Sequence, residues 1–437
     1  MRKRASLVLA SVGLAAVAAL FGGVLGGSRA GGVTAADPAT AARLVSGFAP
    51  SADTKAYVAR LEQRVAESPR DAQGLTLLGL AYQQRARETG DPSYYPRSEE
   101  ALRRSLSVAP RDYLAITGLA TLAASRHRFE DARRLAGRAV SLSPTSAEAY
   151  GVLGDSLVEL GRYRRAFARF DDMVSRKPTL ASYARVSYAR ELIGRPHAAI
   201  AAMKLAVEAG AGTGEPAAWA LVQLGNLYFD TGRVAAAAHS FRAALVRFPG
   251  YVHAQAALGK VAAARGRYAA AGRFYKRAVA KLPLPQYEAA LGDVLGLVGR
   301  SADAARAYAV VEATEKLLRA NGVRTELETA LFDLDHGRDL AGALARARDA
   351  YRERKSIDGD DVLAWALYKN GRCGDALRHS RRALRIGTRD ALKIFHRGMI
   401  ELCLGHEATG RATLRHALRI NPHFSLRYAP VAAEALR

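Results

Sequence analysis

Residues 150–178 read YGVLGDSLVELGRYRRAFARFDDMVSRKP, and the order of small, large and turn-forming residues in them decides the fold. Leu153-Gly154 with Leu157 three residues after the glycine forms one apolar helical face. Gly161-Arg162 interrupts it, Ala166 with Phe170 four residues on resumes it, and Pro178 closes the unit. Positions three and four apart share a helix face, and a glycine past a helix end supplies the left-handed cap that the chain needs to turn. The stretch therefore predicts two helices joined by a short glycine turn.

The unit recurs. Pro110 to Pro144, Pro144 to Pro178 and Pro249 to Pro283 are each 34 residues apart, and Pro178 to Pro249 is 71, two periods plus three. In phase with them come Leu224-Gly225, Leu258-Gly259 and Leu291-Gly292. A second column runs Ala132, Ala166, Ala199, Ala237, Ala271, Ala304, Ala343 and Ala376, followed four residues on by larger ones such as Phe170, Met203, Phe241, Tyr275 and Tyr308. Gly-Arg pairs stand between the columns and end at Arg162, Arg195, Arg233, Arg267, Arg300, Arg338 and Arg372. A small residue on each helix lets the backbones approach while the larger neighbours fill the flanks. One such pair cannot bury its own face, so the repeats stack into a single quasi-one-dimensional core. About ten repeats are expected from Leu75 to Pro422, with a lone helix over 53–68 and a short one from Ala429 as caps.

Period and columns together resemble the tetratricopeptide repeat. The resemblance implies an all-α fold, a right-handed α-solenoid of about ten helix-turn-helix repeats, acting as a non-catalytic scaffold for a protein or peptide. Ser98, where Ala is usual, and an insertion of about seven residues around Gly90 to Tyr95 mark the first full repeat as irregular. The register from Asn321 to Ser356 is less regular too. In this family the first helix of each repeat lines the concave face. The transferred partner-facing stripe takes in Glu148, Asp155, Glu159, Glu191, Asp230, Asp293, Asp335, Asp358 and Asp361 against Lys260, Arg324 and Lys369. The groove is thus expected to be acidic. Tyr188, Trp219, Asn226, Phe229 and His253 fall on the same stripe and make it aromatic, suited to a basic or mixed peptide with an anchoring side chain. The competing reading packs Trp219 and Phe229 into the core. Asn226 alone does not make the dicarboxylate clamp of chaperone-binding relatives, because Val222 and the surrounding acids take the place of the Lys and Arg it needs.

Charge supplies a second reading. The chain has 65 basic against 41 acidic residues, net +24, and 54 of the basic residues are Arg. An acidic groove inside such a chain pushes the positive charge to the outer face and edges. The Gly-Arg turns should line one edge, where Arg also stabilises a helix C-terminus through the dipole. The alternative function is therefore binding of a polyanion or an anionic membrane along Arg162, Arg195, Arg233, Arg267, Arg300, Arg338 and Arg372.

The N-terminus places the chain. Met1-Arg2-Lys3-Arg4 precedes an uncharged run from Ala5 to Ser28, the layout of an export signal that can also remain as an anchor. Residues 1–30 are expected to be signal peptide or membrane anchor, 31–52 a flexible tether and 53–437 the solenoid, outside the cytoplasm and either secreted or tethered to the cytoplasmic membrane.

Catalytic chemistry finds no support. Five of the ten His, at 379, 396, 406, 416 and 423, crowd the last repeats with the two cysteines, but without His-x3-His or Cys-x2-Cys spacing. Cys373, Cys403 and His406 lack a supported ligand set, and there is no glycine-rich phosphate loop. No cofactor, metal or small-molecule substrate is expected, and nucleic acid is not an expected partner. Cys373 begins the second helix of its repeat and Cys403 ends the first helix of the next. The two helices run antiparallel, so both residues lie at one edge, open to a disulfide in an oxidising compartment or to a buried reduced pair.

Overall fold

The computed structural model describes residues 54–210 and 214–437. The expected signal and tether lie outside the described residues. Twenty-two helices follow one another, with no strand among the described residues. They are α1 (Thr54–Glu67), α2 (Ala72–Thr89), α3 (Tyr94–Val108), α4 (Tyr113–Ser125), α5 (Phe129–Leu142), α6 (Ala147–Glu159), α7 (Tyr163–Arg176), α8 (Leu180–Leu192), α9 (Pro196–Ala209), α10 (Gly214–Asp230) and α11 (Val234–Arg247). The second half comprises α12 (Val252–Ala264), α13 (Tyr268–Lys281), α14 (Pro285–Leu297), α15 (Ser301–Ala320), α16 (Glu326–His336), α17 (Leu340–Glu353), α18 (Ile357–Lys369), α19 (Cys373–Ala383), α20 (Ala391–Cys403), α21 (Glu407–Ile420) and α22 (Tyr428–Glu434). Helices α2 to α21 make ten antiparallel pairs, capped by α1 and α22. None of the described helices is long and apolar enough to cross a membrane.

The two residue columns meet in each pair. A Cβ at Gly154 would overlap the ring of Phe170, and one at Gly225 would overlap Phe241. The ring of the second helix thus sits directly on the glycine of the first, which is why the small column precedes the large one at fixed spacing. The turn glycines take the left-handed backbone, Gly161 with φ 71° and Gly371 with φ 74°. Between α4 and α5 His127 holds that conformation instead, with φ 56°. The irregular first repeat is also resolved: Gly90 caps α2 in the left-handed region, and buried Ser98 donates to the Gly79 carbonyl at 2.8 Å, so the hydroxyl replaces a packed Ala methyl by a hydrogen bond. The irregular register near Asn321 follows from α15, which runs 20 residues.

The stack curls tightly enough to meet itself. His127 Nδ1 lies 2.7 Å from the Arg324 carbonyl, 197 residues on, and the Arg324 N–H donates to the Arg126 carbonyl at 3.1 Å. Arg354 Nε donates to Glu159 Oε2 at 2.6 Å across 195 residues, the Ile357 N–H to the Tyr163 hydroxyl at 2.7 Å across 194, and Asn421 Nδ2 to the Phe229 carbonyl at 2.9 Å across 192. A near-constant offset means a regular superhelix of roughly five to six repeats per turn. Successive turns touch along a seam that joins the glycine turns of the first to the inter-repeat loops of the second. At Gly161 an added Cβ would run into the Lys355 carbonyl and at Gly194 into that of Gly387, whereas Gly266, Gly299, Gly337, Gly371 and Gly405 have open space.

Candidate functional site

The curl decides what the concave face can do. First helices are covered by their own second helices, by their neighbours and by the seam, so α6 and α18 are almost wholly buried. Trp219 and Phe229, placed on the partner-facing stripe from sequence, are 5% and 1% exposed inside the core around Ala218, Leu227 and Phe241. This corrects the groove reading for both residues. A flat aromatic beside a glycine column packs better between two helices than over a channel.

Four acids of the stripe are held by the chain itself. Asp155 on α6 receives a forked pair of hydrogen bonds from Arg185 on α8, Nε at 3.0 Å and Nη2 at 2.8 Å to Oδ2, with both residues buried. Glu159 pairs with Arg354 across the seam, and Arg354 also reaches Glu328 Oε1 at 2.7 Å. Asp230 pairs with Lys260 at 3.2 Å, and the Lys260 ammonium lies 4.1 Å from the centre of the Phe229 ring. Asp293, fully buried on α14, accepts from the Tyr308 hydroxyl at 2.8 Å and lies 3.1 Å from His336 Nε2. His253 places Nδ1 2.6 Å from the Tyr287 hydroxyl, and burial lowers its pKa to about 4, which keeps the ring neutral. Burial, then the charges of Asp358 and Glu159, holds the Tyr188 hydroxyl well above its usual range. Asn226 is half-buried on α10. The expected open acidic groove is corrected accordingly: Asp155, Glu159 and Asp293 have partners within the chain, because each burial of a carboxylate requires a compensating donor, and half-exposed Asp230 is taken up by Lys260.

The edge residues lie apart from this interior. Arg162, Arg195, Arg233, Arg267, Arg300 and Arg372 are exposed and Arg338 is half-buried. Arg162 sits 3.7 Å from Glu130, Arg338 pairs with Glu312 at 2.5 Å, and Arg300 and Arg372 pair with the acids three residues on, Asp303 and Asp375. Arg233 instead covers the Tyr228 ring at 4.6 Å. With Arg265, Val234 to Ala236 and His423 it lines a cleft of about 540 Å³ at the end of the seam. Neither Arg233, Arg265 nor Arg267 has a carboxylate partner among the described residues. Cys373 and Cys403 share the same edge, joined by a disulfide with their Cα atoms 6.2 Å apart. No group of three His, Cys, Asp or Glu able to hold a metal ion occurs among the described residues.

Ten helix pairs, nine of them joined at a left-handed glycine and stacked into one curled core, match a known architecture. The tetratricopeptide-repeat family profile matches residues 117–185 and 222–285. The chain is a tetratricopeptide-repeat protein. Among curated proteins none matches the sequence. Among solved structures it is similar to the Cut9–Hcn1 hetero-tetramer of the APC/C, 15% identical with a TM-score of 0.45, over 84% of this chain and 63% of that chain. It therefore spans a little under two thirds of that chain's length. It is also similar to PilW, a widely conserved type IV pilus biogenesis factor, 16% identical over 48% of this chain and 97% of that one with a TM-score of 0.39. A third is YrrB, described as a tetratricopeptide-repeat protein with an unusual peptide-binding site, 20% identical over 42% and 93% with a TM-score of 0.29.

Several interior residues of this tetratricopeptide-repeat protein escape sequence reasoning. Arg354 and Arg427 lie in loops or at helix ends, and their partners are 195 and 92 residues away, so no periodicity marks them. Lys393 alone had a local signal, the Asp390 N-cap three residues before it, which it meets at 2.6 Å while also reaching Asp358 at 2.9 Å. Beside them Glu191 has no paired cation of its own among the described residues. Burial first, then Asp230 and Asp390, pushes its pKa up to about 8. A carboxyl whose folded pKa exceeds its unfolded value near 4.5 adds stability that is present at low pH and lost as pH rises through about 8. The protein should thus become less stable between pH 5 and 9, and Glu191→Gln should flatten that slope; urea titrations across the range check this, and an unchanged slope in the variant would show that Glu191 is ionised throughout.

Proposed function

We propose that this chain is a non-catalytic scaffold, exported from the cytoplasm, that meets a polyanionic partner along its outer edge. The observation that carries the reading is charge segregation. Among the described residues ten carboxylates are buried, from Asp155 to Glu401, against five cations, Arg126, Arg185, Arg354, Lys393 and Arg427. A chain of net +24 that hides an acidic excess carries a still larger positive charge on its surface. The edge beyond the seam, from Gly266 onward, stays open, and Arg233, Arg265 and Arg267 are not neutralised locally. Export rests on the Arg-Lys-Arg start and the apolar run from Ala5.

Binding of polyglutamate, followed by titration at rising salt, tests the edge. Affinity should fall steeply between about 50 and 500 mM salt, because exposed charges act over a Debye length of about 10 Å at 0.1 M. The triple change Arg233→Ala, Arg265→Ala and Arg267→Ala should weaken binding about tenfold or more at low salt. Undiminished binding by the triple variant would move the site elsewhere.

A second reading, capture of a basic peptide on the concave face, is favoured by one observation. Arg427 and Tyr428 of the chain itself sit there, against Asp293 and Asp335.

A further inference from the structure

After α21 the backbone stops being helical. Asn421 to Arg427 run as successive turns before α22 begins. This segment does not simply add to the end of the stack. Asn421 hydrogen-bonds the Phe229 carbonyl at the seam, Phe424 meets the ring of Phe395 at 5.6 Å between centres, and Leu426 packs against the cluster that includes Val294 and Leu295. Arg427 donates to the Asp335 carbonyl at the end of α16 and lies 3.8 Å from Asp293 Oδ1 on α14. The Tyr428 hydroxyl donates to Asp335 Oδ1 at 2.7 Å, the same oxygen that accepts from Trp365 Nε1 at 3.2 Å. Its ring stacks on Phe395 at 4.9 Å and meets the edge of Trp365 at 5.3 Å. The segment therefore crosses the first helices of four consecutive repeats, α14, α16, α18 and α20.

We propose that the concave face of these four repeats is a binding site for a peptide carrying a Leu-Arg-Tyr sequence, and that the chain's own segment Asn421–Arg437 fills it in cis. The proposal rests on the second reading above and names the ligand chemistry: an aromatic ring for the Trp365–Phe395 slot, a phenol for Asp335, and a guanidinium between the α16 carbonyl end and Asp293. The cis fit is imperfect at its Arg427 end. Arg427 is 9% exposed, yet its Nε and Nη2 make no hydrogen bond within the chain, and neither does Asp293 Oδ2. Buried polar groups left so cost stability, and a trans peptide that pairs them would gain what the cis segment forgoes. Tethering compensates, since a linked segment acts at an effective concentration in the millimolar range and outcompetes the same sequence free in solution.

The test uses the full chain and a fluorescein-labelled synthetic peptide of residues 421–437, followed by anisotropy. The wild-type protein should show no saturable binding up to about 100 μM. The double variant Arg427→Ala with Tyr428→Ala, which weakens the cis segment and leaves the site intact, should bind at least tenfold more tightly, and adding Asp335→Asn should remove the gain. A double variant with wild-type circular dichroism that fails to bind would overturn the proposal. Hydrogen exchange on the wild-type protein decides the matter independently of how the variants fold. Amides of Tyr428–Glu434 should exchange through an opening that leaves α18 and α20 protected; exchange only together with those helices would make the segment a fixed cap and refute the inference.

Discussion

Replacing Arg354 by alanine is expected to destabilise the superhelix by roughly 3–5 kcal/mol, the cost of leaving buried carboxylates without their cation. The residue ends α17, and its guanidinium lies between Glu159 of the preceding superhelical turn at 2.6 Å and Glu328 of its own turn at 2.7 Å, above the ring of Phe129. Glu159 side-chain exposure is only 5%, so water cannot take over the lost partner. The loss should shrink toward acid pH. Burial already raises the pKa of Glu159 with Arg354 present, and protonation of an orphaned carboxyl relieves the penalty. Replacing the set together, Arg354→Met with Glu159→Gln and Glu328→Gln, should recover most of the stability, because a buried ion pair is weak net support even where breaking half of it is costly. Urea denaturation and the radius of gyration read the effect: the single variant should both lose stability and expand as the seam opens. A change below about 1 kcal/mol with unaltered dimensions would mean that the turns stay together without this contact.

Removing the disulfide, by Cys373→Ser with Cys403→Ser or by reduction, should destabilise the C-terminal repeats by roughly 3–4 kcal/mol in the chain-entropy model. The bond joins the start of α19 to the end of α20, residues 30 apart, and so closes one inter-repeat loop. In a solenoid each repeat leans mainly on its neighbours, and here also on the turn it meets across the seam, so the loss should be greatest in α18 through α22 and leave α2 to α5 nearly unchanged. Exchange measured segment by segment shows the asymmetry. Alkylation of freshly isolated protein, denatured without reductant, tests both the bond and the compartment. No adduct is expected from an exported chain, and two adducts would place the thiols in a reducing environment and count against export.

Much of this was legible before any coordinate. The 34-residue period, the Gly154–Phe170 and Gly225–Phe241 columns and the turn glycines determine two helices, their turn and their packing distance, all within one repeat. Such contacts lie within about 16 residues of each other, and local spacing encodes them directly. The cysteines at one edge belong to the same class, since their relation follows from helix direction and repeat register. The tertiary structure alone decided what the concave face is. A stripe transferred repeat by repeat assumes an open groove, but whether the groove is open depends on the small rotation between repeats summed over five or six of them. That sum brings Glu159 to Arg354 and Phe229 to Asn421, and it lets Arg427 reach Asp293. No spacing within a repeat carries a contact 92 to 197 residues long, because its physical cause is the accumulated curvature of the whole stack rather than the preference of any residue in it.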